Sequence, residues 1–256
     1  MLLWQADLIP GTTTYNVAQG SYGDFIIRFS GTALTGQTVA LSDLGTVQLA
    51  WNGDSKVFVD VDFLSQMANQ YGGFIEANSA AGGAFNFSVI IPAHAWQDAL
   101  NVYTVKSNDK VFFKLTWSPT KIASGTVSIS GNPKSGIHRY FHQILNQNVI
   151  AGGAQPVTDT INQPNIIELY LKDPATALVS TIQITKDKVE KANDVTGVLL
   201  AYSNWQHLVE SSGTFLVLEF APSGNLHEAD GLQVGYKYQF TGAATLQQYY
   251  SAIQYI

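Results

Sequence analysis

The chain has 256 residues, 46% of them hydrophobic and 12% aromatic, enough apolar material for one large core or two modest ones. It carries 13 Lys and Arg against 19 Asp and Glu, and Arg28 and Arg139 are its only arginines. The basic, Arg-rich stripe that pairs with phosphates is missing, which sets aside direct nucleic-acid binding, and the absence of cysteine excludes disulfides, thiolate catalysis and thiolate metal sites.

The start, Met1-Leu2-Leu3-Trp4-Gln5-Ala6-Asp7, has no basic segment, long apolar stretch or small-residue cleavage site, so no export signal is expected. No apolar run reaches the roughly 18 residues that cross a bilayer. The expectation is a soluble chain, made and assembled inside the cell. Asn and Gln together are about as numerous as the charged residues, and neutral amides can hydrogen-bond to a neighbouring subunit without the cost of burying charge.

In chain order, residues 1–20 read as an N-terminal arm with apolar Leu2, Leu3, Trp4, Leu8 and Ile9. From there a period of two dominates, the spacing that puts apolar side chains on one face of a strand. Phe25, Ile27 and Phe29 alternate with Ile26, Arg28 and Ser30, and Val47, Leu49 and Trp51 with Gln48, Ala50 and Asn52. A short helix is expected over Asp60 to Tyr71, with Val61, Leu64, Met67, Ala68 and Tyr71 on one face. Strands follow at Phe85–Ile91, Val111–Trp117 and Val127/Ile129, completing a first β-sandwich over 21–131.

Asn132 to Gln147 breaks the period: Ile137, Tyr140, Phe141, Ile144 and Leu145 fall at helical spacing, and Pro133 suits a first helical turn. With the Gly/Gln/Pro-rich stretch 151–156, this predicts a connecting helix and linker over 132–160. The strand pattern resumes at Ile167/Leu169/Leu171, Ile182/Ile184, Phe215–Phe220 and Leu232–Phe240, giving a second sandwich over 161–256. A helix is expected around Lys186 to Asp194, and Leu246, Tyr249, Tyr250 and Ile253 give the tail Ala243 to Ile256 a helical spacing.

The halves repeat in pattern. Val47-Gln48-Leu49 leads through a turn and a helix to a strand ending at Pro92, and Ile182-Gln183-Ile184 leads the same way to a strand ending near Pro222, 130 residues further on. That spacing suits a sandwich of about eight strands with one inserted helix, the size of a jelly roll.

No constellation carries recognisable chemistry. His138 and His142 are four apart on the expected helix, but a zincin glutamate is missing and a third ligand is not evident, so they read as helix-surface histidines. The acidic pairs Asp60/Asp62 and Glu228/Asp230 lie in no recognisable calcium loop. There is no Gly-x-Ser-x-Gly elbow and no phosphate-binding glycine loop. Trp51 and Trp117 fall on apolar strand faces and read as core rather than as sugar platforms. No catalytic, cofactor or metal residue is expected, and an enzyme is not the expected reading.

Ile27-Arg28-Phe29-Ser30-Gly31 closing a strand, Ser130-Gly131-Asn132-Pro133 leading into Ile137–Asn146, and the passage Ile182–Val189 lie in two tandem sandwiches. The chain resembles the double jelly-roll major capsid proteins of tailless icosahedral viruses, in particular small members from membrane-containing phages of the corticovirus type. The resemblance implies an all-β fold of two eight-stranded jelly rolls with short inserted helices. It also implies a homotrimer with a nearly hexagonal outline, tiling a shell over an internal membrane. Partners would be further copies, minor capsid or membrane proteins, and lipid at the inner face, within a virion assembled from protein made in the host cytoplasm. A sugar-binding β-sandwich protein, lectin-like or receptor-binding, is the alternative.

Overall fold

Alternating burial along the strands, rather than helix packing, builds the molecule, and among the described residues no helix is long and apolar enough to cross a membrane. The computed structural model describes residues 1–70, 77–94, 100–117, 120–150, 155–206, 215–221 and 230–256. Tyr71, Trp96, residues 151–154, His207, His227, Pro222 and Glu228, and the side chains of Ala68 and Trp205, lie outside the described residues. Met1–His142 with Tyr255–Ile256 make one compact unit, and Gln143–Gln254 a second.

In the first unit the elements are β1 (Leu2–Asp7), β2 (Gly11–Asn16), β3 (Gly20–Ala33), β4 (Thr46–Trp51), β5 (Asp54–Asp60), α1 (Val61–Gln70), β6 (Ala77–Ser79), β7 (Ala84–Pro92), β8 (Tyr103–Val105), β9 (Val111–Trp117) and β10 (Ile122–Pro133). One sheet runs β1-β10-β3-β7-β6, with β8 also paired to β3, and the other runs β2-β9-β4-β5. The pairing is antiparallel throughout, for example Ile27↔Ile129 and Ile27↔Val89. Phe25, Ile27, Phe29, Val89, Phe113, Leu115 and Ile129 are at most 1% exposed, and the rings of Phe25 and Phe113 meet edge to face at 5.0 Å. Burying apolar side chains of this size stabilises by about 1.5–3 kcal/mol each.

The second unit contains most of β11 (Tyr140–Ile150) and β18 (Thr245–Tyr255), with β12 (Val157–Ile161), β13 (Ile166–Lys172), β14 (Val179–Lys186), β15 (Val189–Val195), α2 (Thr196–Gln206), β16 (Phe215–Glu219) and β17 (Val234–Phe240). Its sheets run β11-β18-β13-β16 and β12-β17-β14-β15. Leu169, Leu171, Ile182, Ile184, Leu216, Val234, Tyr238 and Leu246 form its core. The helix α2 is tied down at two buried points: Thr196 Oγ1 donates to the Val179 carbonyl at 2.7 Å, and Ser203 Oγ accepts from the Val217 N–H at 3.0 Å.

Lettered B to I in chain order, the main strands are β1, β2, β3, β4, β5, β7, β9 and β10 in the first unit and β11 to β18 in the second. Both units then have the same two sheets, B-I-D-G and C-H-E-F, with a helix directly after strand F. This is the wiring of a jelly roll, twice over. In both, strands E and F are joined by a two-residue loop with positive φ at each position, Asn52 (51°) and Gly53 (97°), then Asp187 (47°) and Lys188 (70°), as a type I′ hairpin requires. Asp187 Oδ1 also accepts from the Leu232 and Gln233 N–H groups at 3.0 and 3.2 Å, holding the less permissive second turn.

Several expectations are corrected. Residues 132–147 form no helix: they end β10 and begin β11. Residues 186–194 are the β14–β15 hairpin, with the helix following at Thr196, and the tail is strand β18. The reason is shared by β11 and β18. Along β11 the neighbours Tyr140, His142, Gln143 and Ile144 are all 7% exposed or less, as are Gln248, Tyr249, Ser251, Ala252 and Ile253 along β18. A strand covered on both faces loses its alternation, and its apolar residues can then fit a helical spacing by accident. Residues 1–20 form β1 and β2 rather than a detached arm, and the expected linker contains β11 and β12. These are the B and C strands of their units.

Phe113→Ala is expected to lower unfolding free energy in urea by about 3–5 kcal/mol, whereas exposed Lys114→Ala on the same strand changes it by at most ~0.5 kcal/mol.

Candidate interaction surfaces and a buried carboxyl

The two histidines with ligand-like spacing are not on a helix. His138 precedes β11 and His142 lies within it. The His138 ring meets Phe141 edge on at 4.7 Å and Trp51 at 5.5 Å, and its Nδ1 accepts from the Thr104 N–H at 3.4 Å. Burial pushes both imidazoles down to about 4, helped by Lys106 at His138 and by His94 at His142. Both are neutral at physiological pH. Asp60 ends β5, and Asp62, in the first turn of α1, accepts from Gln66 Nε2 at 3.0 Å. Among the described residues no group of three His, Asp or Glu could hold a metal ion.

The tryptophans do not form an exposed platform among the described residues. Trp51 and Trp117 are core, each 4% exposed, and the Trp117 Nε1–H donates to the Ile9 carbonyl. Trp4 stacks on Tyr15 with ring centres 5.6 Å apart.

The surface instead offers apolar side chains. Asn101, fully buried, donates to the carbonyls of Ala93 (2.6 Å) and Tyr140 (3.1 Å), while its Oδ1 accepts from the Arg139 N–H (2.9 Å). This amide holds the segment before β11 extended, with Ile137 bridged to Asn101 and its N–H donated to the Leu100 carbonyl at 3.2 Å. The Ile256 N–H then reaches the Arg139 carbonyl at 3.2 Å. Leu100, Ile137, Tyr255 and Ile256 are thereby strung along one line of backbone contacts, 46–71% exposed. Leu2, the first residue of β1, and Ile9, in the connection from β1 to β2, are 59% and 64% exposed. Apolar groups presented together on a surface suit self-association better than solvation. None of this line was legible as a site, since lone apolar residues outside a periodic run carry no signal.

A second feature was also missed. Glu168, 4% exposed, sits in the apolar run Ile166–Leu171, where a single acid in an otherwise apolar strand is the signal that could have found it. Its Oε2 accepts from the Tyr170 hydroxyl at 2.5 Å and the Ser251 hydroxyl at 3.0 Å, and Glu219 lies opposite in register on β16. Burial pushes the Glu168 carboxyl up to about 7, the two hydroxyls pull it partly back, and the charge of Glu219 adds to the rise.

With a folded value above the unfolded one of about 4.3, the native state holds the Glu168 proton more tightly, so this group's contribution declines as pH rises from about 4.3 to 7. Glu168→Gln, which keeps an acceptor oxygen, is expected to gain on the parent across that window by up to ~3 kcal/mol, read from urea unfolding at successive pH values. The buried histidines act oppositely, losing stability below about 6.5, but are common to both proteins and cancel in the difference.

No protein-family model matches the sequence, and no curated protein matches it. Solved structures do. The major capsid protein P2 from Bacteriophage PM2 aligns with a TM-score of 0.68 at 11% identity, covering 99% of this chain and 98% of its own. The STIV major capsid protein gives 0.68 at 12% identity, covering 98% and 96%, and the PBCV-1 virus capsid structure gives 0.68 at 9% identity, covering 99% and 92%. With the B-I-D-G and C-H-E-F sheets present in both units, the fold of this chain is the double jelly roll that these capsid proteins share.

Proposed function

We propose that the chain is a major capsid protein, a structural subunit that works by symmetric self-association rather than by turnover. The observation that carries this reading is the pair of complete jelly rolls in tandem, aligned over nearly the whole of both chains with capsid proteins from three different viruses. The exposed apolar line from Leu100 to Ile256 and the many surface amides support a subunit that buries surface against its own copies.

The assembly unit on this reading is a homotrimer of pseudo-hexagonal outline, in which each chain contributes two sandwiches and the trimers tile an icosahedral shell over an internal membrane. Two similar sandwiches per chain favour this, because three such chains place six similar bodies around a closed three-fold axis. The exposed Leu2 in β1 and Ile9 just after it are assigned to the inner face, toward lipid or a neighbouring subunit. Further copies, minor capsid or membrane proteins are the partners, and the virion is the location.

Native mass spectrometry of the purified protein is expected to show a species three times the 27.8 kDa chain. A strict monomer at all concentrations contradicts the trimer. Deleting residues 2–9 would remove strand β1, so the inner-face assignment is tested by Leu2→Ser with Ile9→Ser. The double variant should keep the parent's melting temperature but assemble shells poorly and bind lipid vesicles less, and unchanged assembly and vesicle binding would exclude it.

A further inference from the structure

Two carboxyls face each other across the outer seam of the β11-β18-β13-β16 sheet. Glu168 of β13 stands in direct register with Glu219 of β16, so both side chains leave the sheet on the same face. Along β13, Leu169 and Leu171 turn to the core, and alternation sends Glu168 and Tyr170 the other way, where both are nonetheless buried. A bulge sets this parity, with Ile167 an extra residue between the pairs Ile166↔Ala252 and Glu168↔Ser251. Few titratable or charged groups lie on the elements around Glu168. β13 adds Tyr170 and Lys172, β16 adds Glu219 alone, β18 adds tyrosines but no charge, and α2 has no charged residue. Glu168 has no ion-pair partner among the described residues, and its carboxyl is held by the Tyr170 and Ser251 hydroxyls.

Protonated, Glu168 meets Glu219 as a neutral group. Ionised, it sets like charges directly opposite on paired strands, and buries its own away from water. The repulsion falls on the strand that can yield. β16 is the outermost strand of its sheet, five residues paired with β13 alone among the described residues, whereas β13 is held by β18 on its other side. The helix α2 leans on β16 through the Val217 N–H bond to Ser203 Oγ at 3.0 Å, while its first residue stays tied to β14 through the Thr196 hydroxyl. Short outer elements of this kind can open at less cost than global unfolding. We propose that the β13–β16 seam is a proton-operated latch: protonated Glu168 keeps β16 on the sheet, and loss of that proton to water frees β16 with the end of α2 that leans on it. This goes beyond the capsid reading and does not depend on it.

Opening wets the carboxyl and returns it to the usual value of about 4.3, so opening becomes about tenfold easier per pH unit up to the buried value of about 7 and then levels. Hydrogen exchange of the full chain, corrected for intrinsic rates, tests this. Amides of β16 and of residues 203–206 should be less protected than those of β14 and β17 at pH 8.5. Their protection should fall about thirtyfold between pH 5.5 and 8.5 in the parent and stay flat in Glu168→Gln. Should that variant not fold, the parent's own comparison of β16 with β14, and the levelling near pH 7, decide. Protection of β16 equal to that of β14 and β17 at pH 8.5, a missing fall, or a fall that survives in Glu168→Gln each overturns the proposal.

Discussion

Everything in this molecule depends on closing each roll, which means pairing a unit's first strand with its last. β1 lies against β10, Ala6 opposite Val127, and β11 against β18. Because every apolar strand face must be covered by the opposite sheet, successive strands are dealt between two sheets, and only the B–I pairing completes them. The first and last strands meet across more than a hundred residues of chain in each unit. Such long-range pairing makes folding slow and couples every strand of a unit to the others. It also makes the connections permissive: α1 and α2 follow the F strands directly, and nothing in the wiring limits what lies beyond them.

The same constraint explains what was legible in the sequence. Strands with one face in the core and one in water showed themselves residue by residue: Phe25, Ile27, Phe29, Val47, Leu49, Phe87, Val89, Ile91, Phe113 and Leu115 are all buried where the period of two places them. So did α1 and the recurring order of strand, turn, helix and strand, although the second helix was expected over residues 186–194 and lies at Thr196–Gln206. The B and C strands of both units, together with β18, were hidden for two opposite reasons. β1, β2 and β12 are sheet edges whose exposed, Thr-rich or mixed residues show no apolar face, while β11 and β18 are covered on both faces and show no polar one. The β14–β15 turn was missed because Asp187-Lys188 adopts the paired left-handed conformation that Asn52-Gly53 advertises and a lysine does not.

Many of the interior polar groups are neutral and hydrogen-bonded. Asn101 bonds four backbone groups, Tyr238 donates to Gln248 at 2.6 Å, and Tyr103 donates to the His142 carbonyl at 2.8 Å. His142 and Glu168 shift their proton affinities in the directions that burial dictates. A chain with few charges and many amides can therefore bury polar groups inside itself, and against copies of itself, at little electrostatic cost. That economy suits a proposed shell subunit, whose surface is largely destined to be covered.

Electron cryomicroscopy of particles assembled from the chain tests the central claim most directly. The account predicts closed shells whose capsomers each resolve into six eight-stranded sandwiches, two from every chain, each with B-I-D-G and C-H-E-F sheets. Capsomers built from any other number of sandwiches, or a chain that never forms closed particles, would contradict it.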